Sequence, residues 1–426
     1  MRVAARYAIT MGPRGVVVDP VIEIEGNRIK SVASERGSSA DIEVDGIILP
    51  GLISTHTHLH GLVAYGHPVT PPPGFWPFLK EWWWPLVEDV LTAEDVERLA
   101  AYAALLHLKC GYTCFCDVME APYAEPGFMR REAEAIANIG ARALVSNEAT
   151  ERAGPQVAQK LLEENTDILS LTGRVQGLMS VHTTFSCTGE YIRKAKEIAR
   201  ERGALFQLHL SEGTYHVEDT LERFGKRPVP YLDELGVLDD MTIASQSVHL
   251  TEQEIETLAK RGVHVSHNPV SNMEIGTGVA PVRSMLDHGV NVTLGDDGFV
   301  RAFDPFFNMS TTFLLHALST AGAGLSPQET LAFLTSNAAR ALSLDAGCIE
   351  EGKLADLVLL KNSSPSPLLP ENATYHTVLG ASSGDVAAVI VDGQVVVENG
   401  IARLVDEQEL RNLANQTIRT LWHGRS

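Results

Sequence analysis

Cysteine is scarce in this chain, with five among 426 residues, at positions 110, 114, 116, 187 and 348. An odd, sparse set argues against a disulfide framework and for reduced thiols. Cys110, Cys114 and Cys116 lie close together, but not in the paired C-x-x-C of zinc sites. They fall where a helix ending at Gly111 gives way to a strand, so buried core is their expected place. Positive charge is also in short supply: 34 Lys and Arg against 54 Asp and Glu leave a formal charge of −20. That balance disfavours nucleic acid and anionic lipid surfaces as partners. No apolar run approaches the ~20 residues of a membrane span. The opening Met1-Arg2-Val3-Ala4-Ala5-Arg6 is followed by no apolar signal core, so a cytoplasmic location is expected. Internal repeats and low-complexity stretches are lacking too. What remains is an ordinary globular composition, 44% hydrophobic and 21% charged, in a chain long enough for one large domain plus a smaller one.

The two ends share one texture. Near the start, Val16–Val18, residues 21–25, 28–32 and 42–44 read as short strands, with Gly26-Asn27 as a tight hairpin turn. Near the finish, 355–360, 386–391 and 394–397 read the same way, and Asp392-Gly393 joins the last two. One discontinuous β-sandwich built from both termini is expected, from residues 1–49 and 346–404, followed by a C-terminal helix over 405–426. The middle, 50–345, alternates strands and helices. Helix starts stand at Thr92, with an acidic first turn, at the capping box Thr251-Glu252-Gln253-Glu254, where a hydroxyl and a carboxylate each satisfy a free amide, and at Ser326-Pro327-Gln328-Glu329, with Pro where its missing amide costs nothing. Strand candidates lie at 112–118, 142–148, 174–181, 204–210, 241–248, 263–267 and 290–295, with another ending at His56. Eight such units predict an α/β fold with a (β/α)8 TIM barrel. The Trp- and Pro-rich insert 68–85 exceeds an ordinary loop and is expected to cover the barrel mouth.

Catalytic groups of such barrels sit at the C-terminal ends of the strands. In Pro50-Gly51-Leu52-Ile53-Ser54-Thr55-His56-Thr57-His58, the two histidines two apart on a strand point the same way. His209 ends the fifth strand and Asp297 the eighth, so four distant residues converge at one rim. Three imidazoles and a carboxylate suit Zn2+ or Fe2+ and leave a position for water. Asp296 should point to the opposite face and be structural. His60 shares the parity of His56 and His58 but lies past the strand end. His107, His216, His264, His288, His316, His376 and His423 are expected to be structural or surface residues.

The fragment around His56, with Gln207-Leu208-His209-Leu210-Ser211-Glu212, Ser266-His267-Asn268-Pro269 and Leu294-Gly295-Asp296-Asp297-Gly298, resembles the amidohydrolase superfamily. The resemblance is to the branch of metal-dependent deaminases and chlorohydrolases acting on heteroaromatic rings, and it covers nearly the whole chain. It implies that His56, His58, His209 and Asp297 ligate one divalent metal, most readily Zn2+, with Fe2+ the alternative. The fourth strand carries no lysine, so the carbamylated lysine of binuclear relatives has no counterpart. The resemblance makes Glu212 the carrier of a proton from water to a ring nitrogen, while Asp297 ligates and assists. The competing reading of Glu212 is an acid at a helix start.

One fragment departs from the pattern. Relatives carry a histidine on the sixth strand, within Ala-Ala-His-Cys-Val; here the run is Ala244-Ser245-Gln246-Ser247-Val248-His249. Gln246 can donate a hydrogen bond but cannot carry a proton, so its expected part in catalysis is to orient. On the substrate side the resemblance points to His182, and Trp83 and Phe185 offer faces for a planar ring. The expected activity is hydrolytic deamination of a nitrogen heterocycle of purine, pterin or triazine type, metal-activated water attacking an sp2 ring carbon. The alternatives are loss of chloride or opening of a cyclic amide at the same centre, or a non-catalytic, metal-stabilised binding subunit. The expected partner is a small heterocyclic substrate, with a homo-oligomer also open.

Overall fold

The computed structural model describes residues 1–35, 37, 39–322 and 324–424. Strands β1 (Arg2–Ile9), β2 (Val16–Val18), β3 (Pro20–Glu25), β4 (Arg28–Ser34) and β5 (Ile42–Pro50) open the chain. Strand β1 is an addition to the sequence reading; Arg2 and Arg6 interrupt its apolar pattern, yet Val3, Ala4 and Ala8 are buried. The middle supplies β6 (Leu52–Thr57), β7 (Tyr112–Met119), β8 (Arg142–Asn147), β9 (Val175–Gly177), β10 (Met179–Ser180), β11 (Phe206–Leu210), β12 (Thr242–Gln246), β13 (His264–His267) and β14 (Asn291–Leu294). The end adds β15 (Leu357–Lys361), β16 (Val386–Val391), β17 (Gln394–Glu398) and β18 (Ile401–Ala402).

Strands of both termini meet in one sheet, nine-stranded among the described residues, in which β15 pairs antiparallel with β5 while β5 runs parallel to β1. Both hairpin turns form as expected: Glu25 pairs with Arg28, and Val391 with Gln394 across Asp392 and Gly393, which take φ of 55° and 74°. Positive φ at both central residues matches the twist of the flanking strands. One face of this sheet, through Tyr7, Leu49, Val358 and Val389, joins the main core. Its other face encloses a second core of Val3, Ile22, Ile29, Ile48, Leu357 and Ile390. Arg142 at the start of β8 ties the two parts together: its guanidinium donates to Asp356 at 2.7 and 3.2 Å and to Asp392 at 3.0 Å, with Arg142 and Asp356 nearly fully buried.

The middle strands are all parallel, β6 to β9 in one sheet and β10 to β14 in another. The single strand expected over 174–181 is broken. Leu178 N donates to Val145 O at 2.9 Å and Met179 N to Leu205 O at 3.0 Å, so the chain changes partner at Gly177. Glycine is required there, because a Cβ would stand 2.4 Å from Ile168 O. Backbone contacts continue across both gaps between the sheets. Ala149 bridges Val181 in parallel, and the Asp296 amide donates to His56 O at 2.9 Å.

The expected helix starts at Thr92, Thr251 and Ser326 are each closed by a reciprocal pair, with Asp95, Glu254 and Glu329. Helix Ala93–Cys110 ends on Gly111 at φ 108°. Cys114 and Cys116 lie in apolar core, and all five cysteines are unpaired. The C-terminal helix runs Glu407–His423; positions 425 and 426 of the expected span lie outside the described residues. Its Trp422 Nε1 donates to Val63 O at 2.8 Å, holding the segment that follows His58. Among the described residues no helix is long and apolar enough to cross a membrane.

Candidate active site

His56, His58, His209 and Asp297 come together as expected, all buried, with one potential ligand atom from each lying within 4.8 Å of the others. His56 stands on β6 and His58 one residue beyond it; His209 stands on β11, and Asp297 follows β14. Asp297 takes φ 57°, an uncommon conformation for a residue with a side chain. That reversal turns its carboxylate towards β6. Ser211, Gln246 and Ser247 have φ of 48°, 76° and 53°, so strained backbone gathers at this rim, as it does at functional sites. Asp296 is structural as expected. It is fully enclosed, accepts hydrogen bonds from Ser54, Thr57 and the Gly298 amide, and lies 3.1 Å from His107 Nε2.

Hydrogen bonds settle how the imidazoles are presented. Gln207 donates through Nε2 to Thr55 O at 2.9 Å, leaving its Oε1 to accept from His56 Nδ1, also at 2.9 Å. His58 Nδ1 donates to Val118 O at 2.6 Å. Both rings therefore turn Nε2 inwards. His56 Nε2 is 2.8 Å and His58 Nε2 3.6 Å from Asp297 Oδ1. Yet neither His56 Nε2 nor Asp297 Oδ1 completes a hydrogen bond among the described residues. Buried polar atoms left this way are costly. A cation shared by the four groups satisfies them all, so the donor set fits a divalent metal. Glu148 Oε1 lies 2.5 Å from His209 Nδ1, close but without completing a hydrogen bond among the described residues. Burial pushes the Asp297 carboxyl up, but the adjoining His56 and His58 overcome this and hold it well below the usual carboxylate range.

Glu212 faces the same space, and burial, aided by the Asp297 charge, pushes it up to about 8. Gln246, the last residue of β12, donates through Nε2 to Asp297 Oδ2 at 2.9 Å. His249, three residues on, is engaged elsewhere: its Nε2 donates to Thr277 O at 2.7 Å. His182 and Trp83 border the cavity with the groups above. Phe185 does not. It packs edge-on against His182 at 5.2 Å and lines a neighbouring pocket with Trp76 and Arg152. Of the three consecutive tryptophans, Trp82 bonds Val69 O and Trp84 carries Arg152 over its face at 4.7 Å, so only Trp83 reaches the cavity. They lie in the π-helical segment Phe78–Glu88, whose turns fan successive side chains apart.

Sequence reasoning missed Phe78, Leu79, Glu120, Ile275 and Phe299, which complete the lining. Glu120 carried one usable signal, its place just past the end of β7. Its Oε2 accepts from Trp83 Nε1 at 2.9 Å and lies 3.6 Å from His60 Nε2. The free space is about 30 Å3, room for water but not for a heterocycle. Phe78, Trp83, Ile275 and Phe299 also border a second cavity of about 470 Å3. A ring reaches the centre only if this aromatic cover moves.

The family model described as the Amidohydrolase family matches residues 47–396. The chain belongs to the amidohydrolase family. This amidohydrolase is therefore a hydrolytic enzyme, as its motifs implied. It is 36% identical to a 5'-deoxyadenosine deaminase of Methanopyrus kandleri, with 98% of each chain covered. It is 33% identical to a 5-methylthioadenosine/S-adenosylhomocysteine deaminase of Thermococcus sibiricus, covering 89% of this chain and 90% of that one. Its fold is like that of a zinc-bound adenosine deaminase from Xanthomonas campestris (TM-score 0.89, 24% identity, 99% and 98% covered). It is also like that of the zinc complex of an atrazine chlorohydrolase from Arthrobacter aurescens (TM-score 0.85, 21% identity, 98% and 100% covered).

Proposed function

We propose that this amidohydrolase is a mononuclear, zinc-dependent deaminase of an adenosine-type nucleoside, replacing the ring amino group by oxygen and releasing ammonia. The observation that carries the reading is the convergence of His56, His58, His209 and Asp297 on one point, with Glu212 and Gln246 facing the same small cavity. A divalent metal held there supplies Lewis acidity and makes water nucleophilic near neutral pH. The protein's residues do the rest. Glu212, whose proton affinity lies near neutrality, accepts one proton from the attacking water and returns it to a ring nitrogen, and the water's second proton passes by way of the Asp297 carboxylate to the amino group, which leaves as ammonia. Asp297 helps hold the metal and orients the water through its carboxylate. Gln246 steadies Asp297 and keeps one N–H for the reacting group. Trp83 and His182 border the ring, while Phe78 and Phe299 exclude bulk water.

The purine reading is supported by the deaminases of adenosine derivatives that the chain resembles along its length. The parallel sheets support a closed (β/α)8 barrel, since backbone contacts run on across both gaps. The second enclosed core supports a β-sandwich made by the two termini, residues 1–49 and 346–404, around a barrel spanning 50–345. Five free thiols suit a reducing cytoplasm. The experiment is ammonia release by zinc-loaded protein from adenosine, 5'-deoxyadenosine, 5'-methylthioadenosine and S-adenosylhomocysteine, with pterins and triazines as comparison. Release confined to the adenosine group supports the reading. Release from triazines alone, or none from fully loaded protein, overturns it.

A further inference from the structure

The sixth-strand glutamine is itself held. Asn272, on the short helix Pro269–Ile275 and itself buried, donates through Nδ2 to Gln246 Oε1 at 2.6 Å. Gln246 in turn donates through Nε2 to Asp297 Oδ2 at 2.9 Å. An amide can turn about its last bond, exchanging an oxygen and a nitrogen of nearly equal size. Turned the other way, Gln246 would set its oxygen against the Asp297 carboxylate and its NH2 against the NH2 of Asn272. Both contacts would be repulsive, because neither then pairs a donor with an acceptor. The Asp297 carboxylate takes the NH2 of Gln246, and the Asn272 donor complements the oxygen that is left, so the two contacts favour the same orientation, while Asn272 Oδ1 has no partner among the described residues. The alternative of an idle packing residue does not fit the geometry: both amides are buried, they meet at 2.6 Å, and the bond ends on a group of the proposed metal set.

We infer that Asn272 is a positioning residue, which locks Gln246 as a one-way donor to Asp297 and thereby sets the carboxylate that the metal uses. The arrangement replaces a proton-carrying side chain by a fixed hydrogen bond. With its oxygen engaged by Asn272 and one N–H by Asp297, Gln246 has a single N–H left for the cavity. It meets the reacting group only as a donor, so neither proton that must move, one to the ring nitrogen and one to the leaving amine, passes through Gln246. This inference rests on the metal set described above for its first part, and on the deaminase reading for the last.

The test is a double-mutant cycle read first in zinc affinity, by competition with a chelating dye, which needs no substrate. Gln246→Ala should weaken zinc binding by about 10–100-fold, the usual effect of losing a group that orients a ligand. Asn272→Asp keeps size and shape but presents acceptors to Gln246 Oε1, and should weaken binding at least as much. Asn272→Ala, which only frees the amide, should weaken it about 3–10-fold, and decides the matter if the buried aspartate prevents folding. In the Gln246→Ala background either change at 272 should add less than twofold. Equal losses in both backgrounds, or no loss from Asn272→Ala, would overturn the proposal by showing that Asn272 does not act through Gln246. On any substrate turned over, the same cycle should appear in kcat, with KM changed by less than about threefold. Absence of turnover would count against the deaminase reading and leave the zinc cycle to judge Asn272.

Discussion

Glu212→Gln separates what the site demands of the fold from what it does for the reaction. In the metal-free protein, burial and the Asp297 charge raise the folded-state pKa of Glu212 from 4.5 to about 8. The protonated form is thus the comfortable one. Stability from this source is fully present below about pH 4.5 and is lost as pH rises through 8. At about 1.4 kcal/mol per tenfold change in proton affinity, the full loss approaches ~5 kcal/mol. A glutamine has the same shape and never ionises, but its buried amide costs about 1–3 kcal/mol of desolvation. Metal-free Glu212→Gln should therefore exceed the parent in stability by about 2–4 kcal/mol at pH 8.5, and be no more stable near pH 5. Urea unfolding in the presence of a chelator at both pH values measures this. The variant should still bind zinc, since Glu212 is not among the four converging groups, while turnover should fall by about 10²–10⁴ for want of a proton carrier. A variant no more stable than the parent at pH 8.5 would refute the claim that burial strains this carboxylate. Turnover within tenfold of the parent would refute its role.

Three further outcomes are expected. Zinc affinity should rise with pH up to about 10. Burial opposes protonation of His58, but Glu120 and Asp297 outweigh it and lift the group to about 10, so zinc must displace that proton; a pH-independent dissociation constant by dye competition would contradict this. Arg142→Met should destabilise the protein by about 3–5 kcal/mol in urea, because it strands the buried Asp356 carboxylate; a loss under 1 kcal/mol would show that water reaches the site. Trp83→Phe deletes the indole donor that ties this ring to Glu120 and should lower kcat/KM by about 5–100-fold with zinc content unchanged, whereas an unaltered value would place that tether outside substrate binding by Trp83.

The convergence of His56, His58, His209 and Asp297 was legible because all four lie at or just past strand ends, while their role as metal ligands rests on the family resemblance. His56 and His58 share a face by simple alternation, and the positions of His209 and Asp297 follow from counting parallel strands. The aspartate pair Asp296-Asp297 was separable by the same alternation, one under the site and one in it. What stayed hidden depends on contacts between distant segments. Glu120 belongs to no motif; only its Trp83 and His60 neighbours give it meaning. Asn272 belongs to no motif read from the sequence, and its bond to Gln246 joins residues 26 apart that only the fold brings together. Phe185 was misjudged because an aromatic beside His182 can turn either way, and here it turns to Trp76 and Tyr215. Strand β1 was obscured by Arg2 at its start and Arg6 in its middle, and the break at Gly177 by a glycine whose close approach to Ile168 O only the folded chain reveals.

The central claim is that one zinc ion held by His56, His58, His209 and Asp297 drives removal of an amino group from an adenosine-type ring. Stripping the protein of metal and titrating zinc back, while following ammonia release from 5'-deoxyadenosine, tests it most directly. Release should be nil at the start, rise linearly to a plateau at one zinc per chain, and stay nil in an Asp297→Asn variant. Full release from the stripped protein, a plateau at two zinc ions per chain, or silence at full occupancy would contradict it.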